Sequence, residues 1–323
     1  MTRRIDFHLL GPLVALIGLF ILGALLNPAF LAPANLSNVL ARSAFIGLIA
    51  VGMTFVITQG GLDLSVGSMA AFLAGAMIMV MNWLAPITGE NWSTILIGMA
   101  AALLGGVLAG WVNGALVTKA RIEAFIVTLG TMGIFRSLVT WLADGGTLSL
   151  DSGLRGLYRP VYFSGIGWIT WPIIVFAVVA ILGEWLMRHT RFGRHVEAIG
   201  SNDRVARYSA VDVERVRLQT YVLLGALVGL ATILYVPRLG SASGSTGVLW
   251  ELEAIAAVII GGTALKGGRG RVWGTVVGVL ILSLIDNILN LADIVSPYLN
   301  GAIQGIIIVL AVVLQREKRP AEV

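Results

Sequence analysis

Long apolar runs, each near 20 residues and separated by short polar links, constrain this chain more than any other feature. Such a run matches the roughly 30 Å hydrocarbon core of a bilayer, which a helix crosses at about 1.5 Å per residue. A soluble core would give shorter runs broken by charge. Here 57% of residues are hydrophobic and 12% charged, against about a quarter charged in soluble domains. The expectation is an all-α, polytopic integral membrane protein, with residues 1–323 forming one transmembrane domain. The 40 glycines suit helices whose backbones approach closely in lipid.

The runs divide into ten expected spans: 9–26, 39–58, 67–85, 94–117, 124–143, 170–187, 219–236, 252–265, 272–289 and 298–314. The first follows a short basic start (Arg3, Arg4). No small-x-small cleavage site followed by a soluble domain favours reading it as a signal peptide. Span eight is short for a full crossing and is expected to be tilted or re-entrant.

Charge orients the model. The segment 188–218 holds seven arginines (Arg188, Arg191, Arg194, Arg204, Arg207, Arg215, Arg217), opposed by Glu197, Asp203, Asp212 and Glu214. Short loops rich in Lys and Arg stay in the cytoplasm. With ten spans and both termini inside, seventeen of the 22 basic residues fall on that side. The 188–218 loop is also the longest polar stretch, and so the natural place for a soluble partner to dock. The net charge of +5 follows from these loops and implies no nucleic acid.

Two glycine clusters interrupt apolar runs. Gly60 and Gly61 precede Leu62-Asp63-Leu64-Ser65-Val66-Gly67, and Gly261-Gly262-Thr263 precedes Lys266-Gly267-Gly268. Broken helices free backbone groups that need protein or a water-filled cavity around them, and transporters place them beside substrate paths. Tight turns between adjacent helices would look the same. In span nine, Ser283, Asp286, Asn287 and Asn290 share one helical face. Polar groups facing lipid are costly, so this face is expected to look inward, either lining a path or tying helices together. Thr54, Thr58 and Gln59 are further candidates for the same cavity. Arg136 in span five is a second intramembrane charge and a candidate partner for Asp286.

Enzymatic chemistry finds no support. The lysines Lys119, Lys266 and Lys318 do not follow a Gly-rich turn as a phosphate-binding loop requires. Absence of Cys removes disulfides and thiolate sites. The three histidines (His8, His189, His195) sit at separate loop positions, so neither metal nor cofactor is expected.

Four stretches in order resemble permease subunits of bacterial ABC-type monosaccharide importers, the ribose, arabinose, xylose and galactofuranose group. They are Gly60-Gly61-Leu62-Asp63-Leu64-Ser65-Val66-Gly67; Ala124-Phe125-Ile126-Val127-Thr128-Leu129-Gly130; Thr190-Arg191-Phe192-Gly193-Arg194 with Ala198-Ile199-Gly200-Ser201-Asn202; and the run from Glu251 through Gly261-Gly262-Thr263. The resemblance implies a core of two permeases (two copies or two paralogues), a separate cytoplasmic ATP-binding subunit, an extracytoplasmic sugar-binding protein and a bacterial inner-membrane location. Asp63, Ser65, Thr128, Asp286, Asn287 and Asn290 are the candidates for the substrate path. By the same analogy 193–202 is the ATPase-coupling segment, with Gly193, Arg194, Glu197, Ala198, Ile199, Gly200 and Asn202 as its residues. Val196, Ala198 and Ile199 would offer an apolar face to the ATPase, with Arg194 and Glu197 at its rim. Gly193 and Gly200 would let both ends bend. The sequence departs from the family pattern at Glu123, where relatives carry Pro, and at 205–211. A stand-alone secondary transporter or channel is the alternative; it would need coupling carboxylates, for which only Asp63 and Asp286 qualify.

Overall fold

A computed structural model describes residues 7–292 together with 299, 302–303 and 305–306. The first half of the bundle consists of α1 (Phe7–Leu26), α2 (Pro33–Thr58), α3 (Val66–Thr88), α4 (Trp92–Thr118) and α5 (Ala124–Leu142). Two short helices follow, α6 (Ser152–Tyr158) and α7 (Pro160–Phe163). The second half contains α8 (Trp171–His189), α9 (Arg191–Ser201), α10 (Asp203–Tyr208), α11 (Val213–Leu239), α12 (Trp250–Ile260) and α13 (Val272–Ala292). Two ribbons join loops: β1 (Thr147–Ser149) with β4 (Ser241–Ser243), and β2 (Gly165–Ile166) with β3 (Ile169–Thr170). Among the described residues, seven helices are long and apolar enough to cross a membrane: α2, α3, α4, α5, α8, α11 and α13. The expected tenth span, 298–314, lies outside the described residues.

Several helices run past the apolar limits read from sequence, and their caps explain why. α2 starts at Pro33, where a missing N–H costs nothing in the first turn. α11 starts six residues before the expected span because Asp212 accepts a hydrogen bond from the Arg215 amide and Glu214 sits favourably in the first turn. Its polar first turns therefore extend beyond the apolar stretch. The 188–218 segment is thus mostly helical: α9, α10 and the start of α11.

The core is built around α2, whose residues from Gly47 to Thr58 are all buried. α11 packs on α2 and α4. Backbone meets backbone where Gly106 and Gly110 of α4 face Gly225 of α11, so that a Cβ on any of the three would strike the opposing main chain. Helices in lipid gain contact this way, since no hydrophobic drive distinguishes a partner from a lipid tail.

Span eight is a broken crossing, carried from Gly240 at the end of α11 to Gly268 beside the end of α2 by a non-helical stretch and a short helix. α12 has 11 residues, about 16 Å of helix where a full crossing needs roughly 30 Å. The chain leaves α11 at Gly240, pairs as β4 with β1, and then descends without helix. At Gly247 it packs against Gly67 in the first turn of α3. Trp250 then stacks on Phe45 and meets Tyr235 edge-on. The 59–65 link turns back into the bundle. Leu62 accepts from the Tyr221 hydroxyl, two turns into α11, and Asp63 accepts from Asn113, more than a turn before the end of α4. At 1.5 Å per residue this link lies about 8–12 Å inside the helix ends.

Candidate translocation and coupling sites

Asp63 and Ser65 come together as the sequence grouped them. The Asp63 Oδ1 accepts from the Ser65 amide at 2.8 Å and from its hydroxyl at 2.6 Å. The unforeseen member is Asn113 of α4, whose Nδ2 donates to Asp63 Oδ2 at 3.1 Å and to Ser65 Oγ at 2.9 Å. All three side chains are buried. Nothing in the sequence marked Asn113 beyond its being a polar residue late in an apolar run. Asn113 Oδ1 has no partner, and neither has the buried Gln59 Oε1.

The other candidates lie apart from this cluster. Thr128 is buried and donates back to the Ala124 carbonyl of its own helix at 2.8 Å. Asn287 exchanges two amide hydrogen bonds with Asn35 at the start of α2, 3.0 and 2.8 Å long. Asn290 donates to the Asp286 carbonyl one turn back at 2.7 Å. On the polar face of α13, Asn287 therefore ties this helix to α2. Thr54 pairs with Thr275 at 2.7 Å, joining α2 to α13 in the same manner.

Arg136 is not the partner of Asp286. Its guanidinium donates to the carbonyls of Gly244 and Thr246, at 2.8 and 2.5 Å, and the nearby Glu251 carboxylate is its electrostatic partner. The non-helical stretch before α12 explains this. A descending backbone without helix leaves carbonyls unpaired, and in lipid these demand a strong donor. Sequence reasoning missed it because the loop's depth cannot be read from its composition.

Space gathers at the two ends of α5. Near its N-terminus a cavity of about 750 Å³ is lined by Gln59, Thr118, Arg121, Glu123, Arg217 and Tyr221, among others. Toward its C-terminus a second cavity of about 420 Å³ is lined by Arg136, Ser137, Thr140, Trp141, Asp144 and Gly145. Neither is lined by α13. Among the described residues no group of acidic, His or Cys side chains could hold a metal ion.

The coupling candidates form α9, and here the structure corrects two expectations. Val196 and Ile199 do not face outward: both are buried in the core against the bundle. The outward face consists of Arg191, Arg194, Ala198 and Ser201, followed by Asn202. Nor do Gly193 and Gly200 act as bends. Both lie inside the helix, and neither has a positive φ. They permit close approach instead. A Cβ on Gly193 would strike the Met187 carbonyl at the end of α8, and one on Gly200 would strike the Thr58 carbonyl and the Gly268 amide. The sharp turn between α9 and α10 comes from Asn202, whose side chain caps α10 by accepting from the Arg204 and Val205 amides at 3.1 Å. Glu197 Oε1 points at the Gly270 amide, 3.5 Å away, rather than toward Arg194.

Beneath α9 the two glycine breaks meet. The Gly268 amide donates to the Thr58 carbonyl at 2.8 Å, and Gly267 lies over the Gly60 amide. Gly60, Gly267 and Gly268 all have φ near +86°, a region that only Gly enters freely. The stretches read separately as broken helices thus form one seat for α9.

A family model described as "Branched-chain amino acid transport system / permease component" matches residues 35–312. The ribose import permease protein of Bacillus subtilis is 42% identical, over 98% of this chain and 96% of its own length. The ribose import permease protein of Escherichia coli K12 is 37% identical, with 95% and 93% covered. The xylose transport system permease protein of Haemophilus influenzae is 33% identical, with 88% and 89% covered. The chain belongs to this permease family, in the group of ABC-type monosaccharide importer permeases. It is a multi-pass inner-membrane transport subunit and not itself an enzyme; ATP hydrolysis resides in a separate subunit.

Proposed function

We propose that this chain, acting as one permease domain over 1–323, forms its share of a monosaccharide path along α5 and takes its stroke from an ATP-binding subunit docked on α9. The observation that carries the first part is the position of the two cavities, one at each end of α5. The candidates Asp63 and Ser65, with Asn113, support the inner end of that path. Thr128 lies one turn into α5. Asp286, Asn287 and Asn290 support it from α13. A second permease, a copy or a paralogue, completes the path across the exposed face of α5, where Phe125, Ile126, Leu129 and Ile134 have no cover. An extracytoplasmic sugar-binding protein delivers the solute to the end bearing α6 and α7. The 188–218 segment and both termini lie in the cytoplasm within ten membrane segments.

The outward residues Arg194, Ala198 and Asn202 meet the ATPase, while Gly193, Glu197, Ile199 and Gly200 fix α9 to the bundle. Ala198→Arg puts a long charged side chain at the centre of the docking face and leaves the buried side of α9 intact. Insertion should be normal and ATPase binding or ATP-driven uptake of ribose or xylose lost; normal ATPase association and uptake would refute the docking assignment. Orientation has its own check, since the natural chain has no Cys. Ser152→Cys, in α6, should react with an impermeant thiol reagent added outside intact cells; reaction only after opening the membrane would invert the topology.

A further inference from the structure

We infer that Glu184 is a positioning residue that transmits the motion of α9 to the short helix α12 through α13. Glu184 is buried in the last turns of α8, two turns before α9 begins. One carboxylate oxygen receives the Arg188 side chain of its own helix. The other, Oε2, accepts from the backbone amides of Val272 at 3.0 Å and Trp273 at 3.2 Å. These are the first two residues of α13, whose amides have no partner within the helix. A carboxylate there also complements the helix dipole. A side chain from α8 therefore caps a different helix 88 residues away in sequence.

What it grips is packed as one piece with α12. Gly261, at the end of α12, and Gly274 on α13 touch main chain to main chain, and Gly278 sits on the Ala257 carbonyl in the same way. α12 in turn follows the turn whose carbonyls Arg136 of α5 holds. The other end of α9 reaches the α12–α13 link directly, where Gly200 and Ser201 lie on Gly268. α8 and α9 thus hold the α12–α13 pair at two points, the Glu184 cap and the glycine seat. A rocking of α9 turns the pair about those points, and the turn held by Arg136 carries the displacement to α5.

The inference rests on α9 being the element that meets the ATPase, and Ala198→Arg tests that reading separately. The experiment reconstitutes the complete importer in vesicles and measures sugar imported per ATP hydrolysed, with ribose and xylose as probes. Glu184→Ala removes the cap from α8. Val272→Pro removes one donor from α13 itself, at a first-turn position where Pro is tolerated. Each should lower the transport ratio by roughly fivefold or more while ATP hydrolysis continues, and the double variant should be no worse than the poorer single one, as expected for two halves of one contact. Glu184→Gln keeps an acceptor oxygen and should restore the ratio to within about twofold. Arg188→Ala should leave it unchanged. An unchanged ratio in Glu184→Ala, or losses that multiply in the double variant, would overturn the proposal. So would failure of both single variants to assemble, which would make the contact a folding element only. If Ala198→Arg uncouples while Glu184→Ala does not, the docking reading stands and this inference falls.

Discussion

α5 and α13 make an instructive pair, because the conspicuous polar face lies on one and the open space beside the other. α13 carries the conspicuous polar face, Ser283, Asp286, Asn287 and Asn290 at helical spacing. Asn287 is committed to Asn35, and Asn290 folds back on the Asp286 carbonyl. α5 carries fewer obvious signals, yet both cavities open beside it. Half of its most apolar window would be covered if it packed like α13; 22% is buried, against 50% for α13. Polar side chains inside a membrane need partners, and another helix serves as well as a substrate. A path is marked by space, and space is a property of packing.

The sharpest break of this comparison is at Arg136. Arg136→Leu strips the donor from two carbonyls in the bilayer, and we expect uptake to fall by roughly tenfold or more, as unpaired backbone there costs several kcal/mol. Uptake close to that of the unaltered protein, with assembly preserved, would remove α5 from the path. Next in size is an accessibility contrast. Thr140→Cys, in the cavity wall, should react with a water-soluble thiol reagent roughly ten times faster than Ser283→Cys, which lies in the packed part of α13. Equal rates would put α13 on water and restore its polar face as lining.

A smaller effect is expected at Asp286. Asp286→Ala should lower uptake by roughly threefold with assembly intact, because a supporting carboxylate tunes packing rather than contacting solute. A loss as large as that of Arg136→Leu would reverse the ranking of the two helices. Smallest is Asn287→Ala, which breaks the amide pair with Asn35 and should cost about 1 kcal/mol of stability. Thermal unfolding in detergent of the single variants and of the double variant with Asn35→Ala measures it; fully additive losses would show that the pair does not interact.

Much of the architecture was legible from periodicity and charge. The spans near 94–117, 124–143 and 272–289 agree with α4, α5 and α13 to within a few residues, because their limits coincide with changes in polarity. α11 was read short at one end, since Asp212 and Glu214 extend a helix that hydropathy alone would stop. The eighth run was read as short for a full crossing, tilted or re-entrant, and its helix α12 has 11 residues; the non-helical stretch before it was not foreseen. Its depth, and the use of Arg136 to satisfy it, was not legible. A guanidinium's partner 108 residues away leaves no local trace.

The sequence by itself determined that this chain lives in a bilayer and which stretches are long and apolar enough to cross it. Those follow from a local quantity, the length of an apolar run. Tertiary structure alone decided that the two breaks form one seat under α9, and that Val196 and Ile199 face inward. It alone made the Glu184 carboxylate cap α13, and left the free volume beside α5. Each of those depends on which backbone surfaces come within a few ångströms of one another. That is settled by the packing of distant glycines and carbonyls, whose partners no single stretch of sequence specifies.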